Sequence, residues 1–203
     1  GAHGPDLMPN MSMLDALATY HEATGDPRVI ELMKRYFRWE LAVPDNQFFA
    51  GGWQYPRGGD NLASVYWLYN RTGEAWLLDL GSKLMRCGAS WMEAPTACHN
   101  VDFSQGFRKP ALFHQQSRDP AHLAAAERSW ESIYGIYGQV PGGMFGGDEF
   151  ARPGFTDPRQ AIETCGAVEM LRSEIILLRI TGDAKWADRC EDVVLNTLPA
   201  TMT

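Results

Sequence analysis

The sequence has no run of basic residues, no membrane-length apolar stretch and no closely paired cysteines. Lys and Arg number 18 against 25 Asp and Glu, for a net charge of −7. A chain without a positive patch has nothing to set against a phosphate backbone, which excludes nucleic acid as a partner. No apolar run approaches the roughly 20 residues of a spanning helix, so no membrane partner is expected. The opening residues, GAHGPDLMPNMSM, lack a basic segment followed by an apolar one. No signal peptide is therefore visible in this segment, and localisation stays open between cytoplasm and periplasm or exterior. The four cysteines, Cys87, Cys98, Cys165 and Cys190, form no Cys-x-x-Cys pair and are too scattered for a disulfide framework. Three of them are expected to be buried free thiols. Runs of alternating β-branched residues are also missing, which excludes a sheet.

What the chain does have is a recurring helical unit. Residues 14–41, 62–91, 110–137 and 168–198 each show an apolar helical stripe, a short turn and a second stripe. The turns are Thr24-Gly25-Asp26, Thr72-Gly73-Glu74, Ser117-Arg118-Asp119 and Thr181-Gly182-Asp183. Glycine ends the first helix because it accepts positive φ at the position after the helix. The acid that follows sits at the next helix's N-terminus, where it can cap free N–H groups and meets the helix dipole favourably. Pro27 suits the first turn of the helix it opens. The third turn has Arg118 where the others have glycine. The turns lie 48, 45 and 64 residues apart, the spacing of a helical array with extra sequence in its last step. The expected fold is all-α: helical hairpin repeats forming part of an (α/α)6 toroid, with long Gly/Pro loops at 45–61 and 93–106. Residues 1–203 are read as a partial toroid domain of a longer protein, whose missing N- and C-terminal parts are its expected partners, because the chain opens and closes on apolar helices without polar caps.

The inserted stretch, FGGDEFARPGFTDPRQAIETCGAVEM at 145–170, concentrates chemistry. Glu149 follows Gly146 and Gly147, which would let backbone approach a substrate. A carboxyl that protonates a leaving oxygen needs a partly desolvated pocket, and Phe145 and Phe150 could wall it. The alternative is a surface Asp148-Glu149 turn. Glu163 and Cys165 are two residues apart, a spacing that does not share a helix face. They can converge only at a helix start or in an extended segment; at a helix start a thiol has a lowered pKa, and zinc accepts both oxygen and sulfur. The alternative is a small buried cysteine beside a capping glutamate. His99 lies at a loop-to-helix boundary, where it could be a structural hydrogen-bonder. His21, His114 and His122 are read as surface or packing residues. Trp53, Tyr55, Phe145 and Phe155 sit beside Gly and Pro, where rings can stack on sugar faces or plug the core under loops. Arg57, Asp60 and Asn61 adjoin Trp53 and Tyr55, and Asp60 or Asn61 could instead cap a helix.

In this order, GGMFGGDEF (142–150), IETCGAVEM (162–170), the 181–200 segment, RGGDNLASVYWLYNRTGE (57–74) and CHNVDFSQGFRKPAL (98–112) resemble glycoside hydrolase family 127, the β-L-arabinofuranosidases with a DUF1680 domain. The resemblance covers essentially the whole chain. It implies an α/α toroid and a retaining glycosidase with a zinc ion held by one Glu and three Cys. It implies that Glu149 is the acid/base, that Glu163 and Cys165 are zinc ligands, and that His99 contacts the sugar. The nucleophile would belong to a later Cys-Cys pair, which is absent from these residues and expected beyond residue 203. Arg57 stands where the family often has His. The expected substrate is a β-L-arabinofuranoside or related glycan, with Trp53, Tyr55, Arg57 and Asp60 as further substrate contacts. Two rival readings are a sugar lyase or epimerase on the same toroid, and a helical-repeat carbohydrate-binding module without chemistry.

Overall fold

The computed structural model describes residues 4–95, 99–138, 143–147, 149–151 and 162–202. The chain divides into two compact units, Gly1–Ser90 and Trp91–Thr203. The first contains α1 (Met8–Thr24), α2 (Pro27–Ala42), the single turn α3 (Gln54–Arg57), α4 (Asn61–Thr72) and α5 (Trp76–Cys87). The second contains α6 (Asn100–Gly106), α7 (Lys109–Ser117), α8 (Pro120–Tyr137), α9 (Thr164–Thr181) and α10 (Lys185–Asp192). A π-helical turn, Val193–Thr197, and a 3₁₀ turn, Leu198–Met202, follow α10 directly. No strand occurs among the described residues, only isolated β-bridges. The all-α expectation holds, and the four predicted hairpins are α1–α2, α4–α5, α7–α8 and α9–α10. Two segments expected as loops carry helix: α3 within 45–61 and α6 within 93–106.

The hairpin turns share one hydrogen-bonded device. Gly25, Gly73 and Gly182 take φ of 67–69°, and each N–H returns to a carbonyl four residues earlier, such as Gly25 to His21 at 2.7 Å. The preceding hydroxyl works in both directions. Thr24 donates to the Tyr20 carbonyl at 2.8 Å and accepts the Asp26 N–H at 3.2 Å. Thr181 does the same with Leu177 and Asp183. Asp26, Asp119 and Asp183 then cap the next helix by accepting from the N–H two residues on, at 2.9–3.0 Å. Glu74 departs from the expected cap. Its carboxylate instead takes the Trp76 indole N–H, Lys34 at 2.6 Å and Arg38 at 3.1 Å, because its longer side chain reaches past the helix end to α2. The third turn forms without glycine: Arg118 adopts φ of 60°. His21 and His114 reinforce their turns, their Nδ1 atoms lying 2.9 and 2.8 Å from the carbonyls of Asp26 and Asp119.

Apolar side chains fill the interior of each unit. Leu7, Met33, Phe37, Leu62, Leu68, Leu77 and Leu84 are buried in the first. In the second, Phe103 stacks on Phe107 at 5.1 Å and meets the edge of Phe145 at 5.2 Å. Phe145, considered above as a pocket wall, is a fully buried core residue. Acids are buried with these side chains as well. Glu40 is fully buried, and its Oε1 accepts from the Asn61 side chain at 2.7 Å. Burial pushes its pKa up to about 8, against the opposing pull of Asn61 and Lys83. Lys83 donates to the Leu41 and Val43 carbonyls, satisfying acceptors left open at the end of α2.

Two outcomes follow from this packing. Glu40 is raised from an ordinary value of 4.5 to about 8. The unfolded chain therefore loses its proton first, and folding stability falls as pH rises between those values, at up to about 1.4 kcal/mol per pH unit. Denaturant titrations from pH 5 to 8 should show a shallower fall for Glu40→Gln than for the wild-type chain. Arg118→Gly should raise stability by about 0.5–1 kcal/mol, since it relieves a left-handed non-glycine residue at a small entropic cost. The same titrations at one pH check it.

Candidate functional site

The second unit gathers the acids, the thiol and one histidine around the starts of α6 and α9. His99 precedes α6 in extended backbone and caps it, its Nδ1 accepting the Val101 N–H at 3.1 Å. A ring nitrogen that accepts carries no proton, so the neutral imidazole holds its hydrogen on Nε2. Nε2 lies 2.9 Å from Glu149 Oε2 and donates to it, and the same atom is 3.9 Å from Glu163 Oε2. The His99 side chain is 4% exposed. Phe150 meets it edge-on at 5.6 Å. Isolated bridges align this region: His99 with Phe150, and Gly147 with both Ala151 and Ile162. The Asn100 N–H donates to the Glu149 carbonyl, and the Glu163 N–H to the Gly147 carbonyl, each at 3.1 Å.

Glu163 occupies the position before α9 in extended backbone, with φ −65° and ψ 124°, yet its side chain caps nothing. That extended residue is why two side chains at i and i+2 converge where a regular helix would part them. Cys165 donates its S–H to Glu163 Oε1 at 2.6 Å. Glu163 Oε2 is buried and makes no hydrogen bond among the described residues. Neither half of the bland alternative is present, since Cys165 is exposed and Glu163 is not a side-chain cap. The expected burial is also corrected for Cys87 and Cys190, which are half-buried. Cys87 is the last residue of α5, and Cys190 lies in the last turn of α10. Burial still raises both of their pKa values.

Glu149 itself is 69% exposed at its side chain, so the described residues do not supply the desolvated pocket expected for it. Phe145 turns to the core instead, and Phe150, 58% exposed, covers His99. Both His99 nitrogens are engaged by protein groups, which makes its observed contacts those of a holder of Glu149. Cys98, Asp148, Phe155 and the 157–158 Asp-Pro pair lie outside the described residues.

The other predicted contacts belong to the first unit. Trp53 and Tyr55 are 45% and 51% exposed. The Arg57 guanidinium lies 5.0 Å over the Trp53 ring. Asp60 is buried at the start of α4 without capping it through its side chain, and Asn61 is fully buried against Glu40. Neither residue serves as the side-chain cap considered for them. Sequence reasoning overlooked Asn100, whose partners are fixed by a loop nearly 50 residues away. It also overlooked Thr197, whose hydroxyl accepts the Met144 N–H at 3.0 Å from within the π-helical turn.

Glu163 and Cys165 offer one oxygen and one sulfur donor side by side. An unpartnered buried carboxylate oxygen beside a thiol suits a zinc ligand pair. No group of three or more His, Cys, Asp or Glu able to hold a metal occurs among the described residues. No helix among them is long and apolar enough to cross a membrane.

A family model described as beta-L-arabinofuranosidase, GH127 catalytic domain, matches residues 8–203. The chain therefore belongs to glycoside hydrolase family 127, and its class is that of an all-α glycosidase domain acting on a glycoside. No curated protein and no solved structure matches it.

The thiols should differ in reactivity. Iodoacetamide at neutral pH is expected to label exposed Cys165 ahead of Cys87 and Cys190, whose pKa values burial raises. Peptide mass spectrometry over a time course checks the order.

Proposed function

We propose that this chain is the catalytic segment of a retaining glycosidase acting on β-L-arabinofuranosides or related glycans, with Glu149 as general acid/base and Glu163 and Cys165 as zinc ligands. One observation carries the reading: Nε2 of His99 lies 2.9 Å from the Glu149 carboxylate and 3.9 Å from that of Glu163, whose other oxygen takes the Cys165 thiol. An acid/base and a ligand pair thus meet around one buried ring. In the first step the Glu149 carboxyl gives its proton to the glycosidic oxygen as the sugar's C1–O bond breaks and the nucleophile bonds to C1. In the second it takes a proton from the water whose oxygen bonds to C1 as the bond from C1 to the nucleophile breaks. His99 holds one carboxylate oxygen in place through both steps, and exposure leaves Glu149 open to a substrate.

Zinc, when bound, keeps its cysteine ligands as thiolates at neutral pH. Glu163 Oε2 and Cys165 Sγ would hold it from this chain, with the remaining donors and the nucleophile supplied by residues outside these 203. Trp53 and Tyr55, half exposed beside Arg57, offer ring faces that suit a sugar.

In the full-length enzyme, Glu149→Gln should lower hydrolysis of an alkyl β-L-arabinofuranoside by about 10²–10⁴-fold. Unchanged hydrolysis would remove Glu149 from the chemistry and, where no hydrolysis is found in either protein, favour a binding module. Cys165→Ser should reduce bound zinc by elemental analysis, and full activity in the zinc-depleted variant would favour lyase or epimerase chemistry.

A further inference from the structure

Asn100 is fully buried as the first residue of α6, and it touches Gly147, Glu149 and the start of α9. Its backbone N–H donates to the Glu149 carbonyl at 3.1 Å. Its Nδ2 donates to the Gly147 carbonyl at 2.5 Å. The Gly147 oxygen also accepts the Glu163 N–H at 3.1 Å, so both lone pairs of that carbonyl are used. Asn100 Oδ1 accepts from Ser104, one turn on in α6, at 3.5 Å, and faces α9, where any Cβ at Gly166 would overlap it. The amide has one workable orientation, because turning it over would set Oδ1 against the Gly147 oxygen.

We propose that Asn100 is the positioning residue for Glu149, fixing the backbone of Gly147 and Glu149 against the start of α9 so that the acid/base keeps one distance from Glu163 and Cys165. The inference rests on the reading of Glu149 as acid/base. Gly146 and Gly147 give this loop wide freedom, and no strand ladder restrains it among the described residues. Two hydrogen bonds from one side of the loop hold the carbonyls on either side of residue 148, and with them the direction in which the Glu149 side chain leaves the chain. Gly166 is the counterpart on α9: only a residue without a Cβ lets the amide fit.

The test uses full-length enzyme and three variants. Asn100→Asp removes the donor to Gly147 while keeping the shape, Gly166→Ala displaces Asn100 from the other side, and Glu149→Gln is the reference for a lost acid. kcat/KM is measured for two arabinofuranosides, one with an alkyl and one with a nitrophenyl leaving group. Hydrogen exchange is followed across 145–151. Misplacing the acid should cost on the order of 10²-fold with the alkyl leaving group and under about 10-fold with nitrophenyl, which needs little protonation. Exchange across 145–151 should rise in both positioning variants. Equal losses on both substrates, or wild-type kinetics in both variants while Glu149→Gln is inactive, would overturn the proposal. Should Glu149→Gln retain full activity, the acid/base reading fails and the Asn100 proposal fails with it. Unaltered exchange in Asn100→Asp and Gly166→Ala would instead refute the Asn100 anchor alone.

Discussion

The close approach of α6 to α9 governs the site in the second unit, and it depends on a missing methyl group. Gly166 sits one turn into α9 directly against the Asn100 side chain, where a Cβ would overlap it. Because the helices meet there, the His99 and Glu163 side chains at their starts point into the same space. Polar pairs hold the contact farther along. The Arg108 guanidinium, 1% exposed at its side chain, reaches Ser173 at 2.8 Å and Glu169 at 3.0 Å, and Ser173 in turn donates to the Ser104 carbonyl. A buried arginine with such partners is costly to disrupt, since removing the Glu169 carboxylate takes a charged partner from a guanidinium held out of water. Directional contacts of this kind fix register in a way that leucines sliding past one another do not.

Each unit also contains an acid in its interior. Glu40 is held by Asn61, whereas neither oxygen of Glu174 has a hydrogen-bond partner among the described residues. Burial raises both to about 8. At neutral pH both are mainly protonated, which spares each core a bare charge. Glu149 and Glu163 face a different environment. Glu149 extends toward solvent, and Glu163 is held between a thiol and an imidazole. Of the four acids, only these two combine access with a neighbouring group able to exchange protons or ligate.

The hairpins were readable in the sequence because their determinants are local. A hydroxyl, a residue in the left-handed conformation and an acid lie consecutively, and every hydrogen bond of the turn closes within about four residues. That explains why the third turn survives with Arg118 in place of glycine: the flanking Ser117 and Asp119 still make their bonds. Glu74 shows where local reasoning stops. Its charge is right for a cap, but partners on the preceding hairpin compete for it and win.

Candidate residues Glu149, Glu163, Cys165 and His99 could be picked out from residue type, loop context and resemblance, and the convergence of Glu163 with Cys165 followed from a helix start. Their mutual placement could not. His99 and Glu149 are 50 residues apart and meet through a side-chain contact. The helix α6, only seven residues long, is too short to show a hydrophobic period, and its packing against α9 is what defines it. Phe145 and Phe150 lie five residues apart in one glycine-containing stretch, yet one fills the core and the other covers His99. Local chemistry specifies turns, caps and the identity of reactive groups. Which of those groups face one another depends on contacts between distant segments, because their free energy comes from excluding water between surfaces that no single stretch of chain possesses.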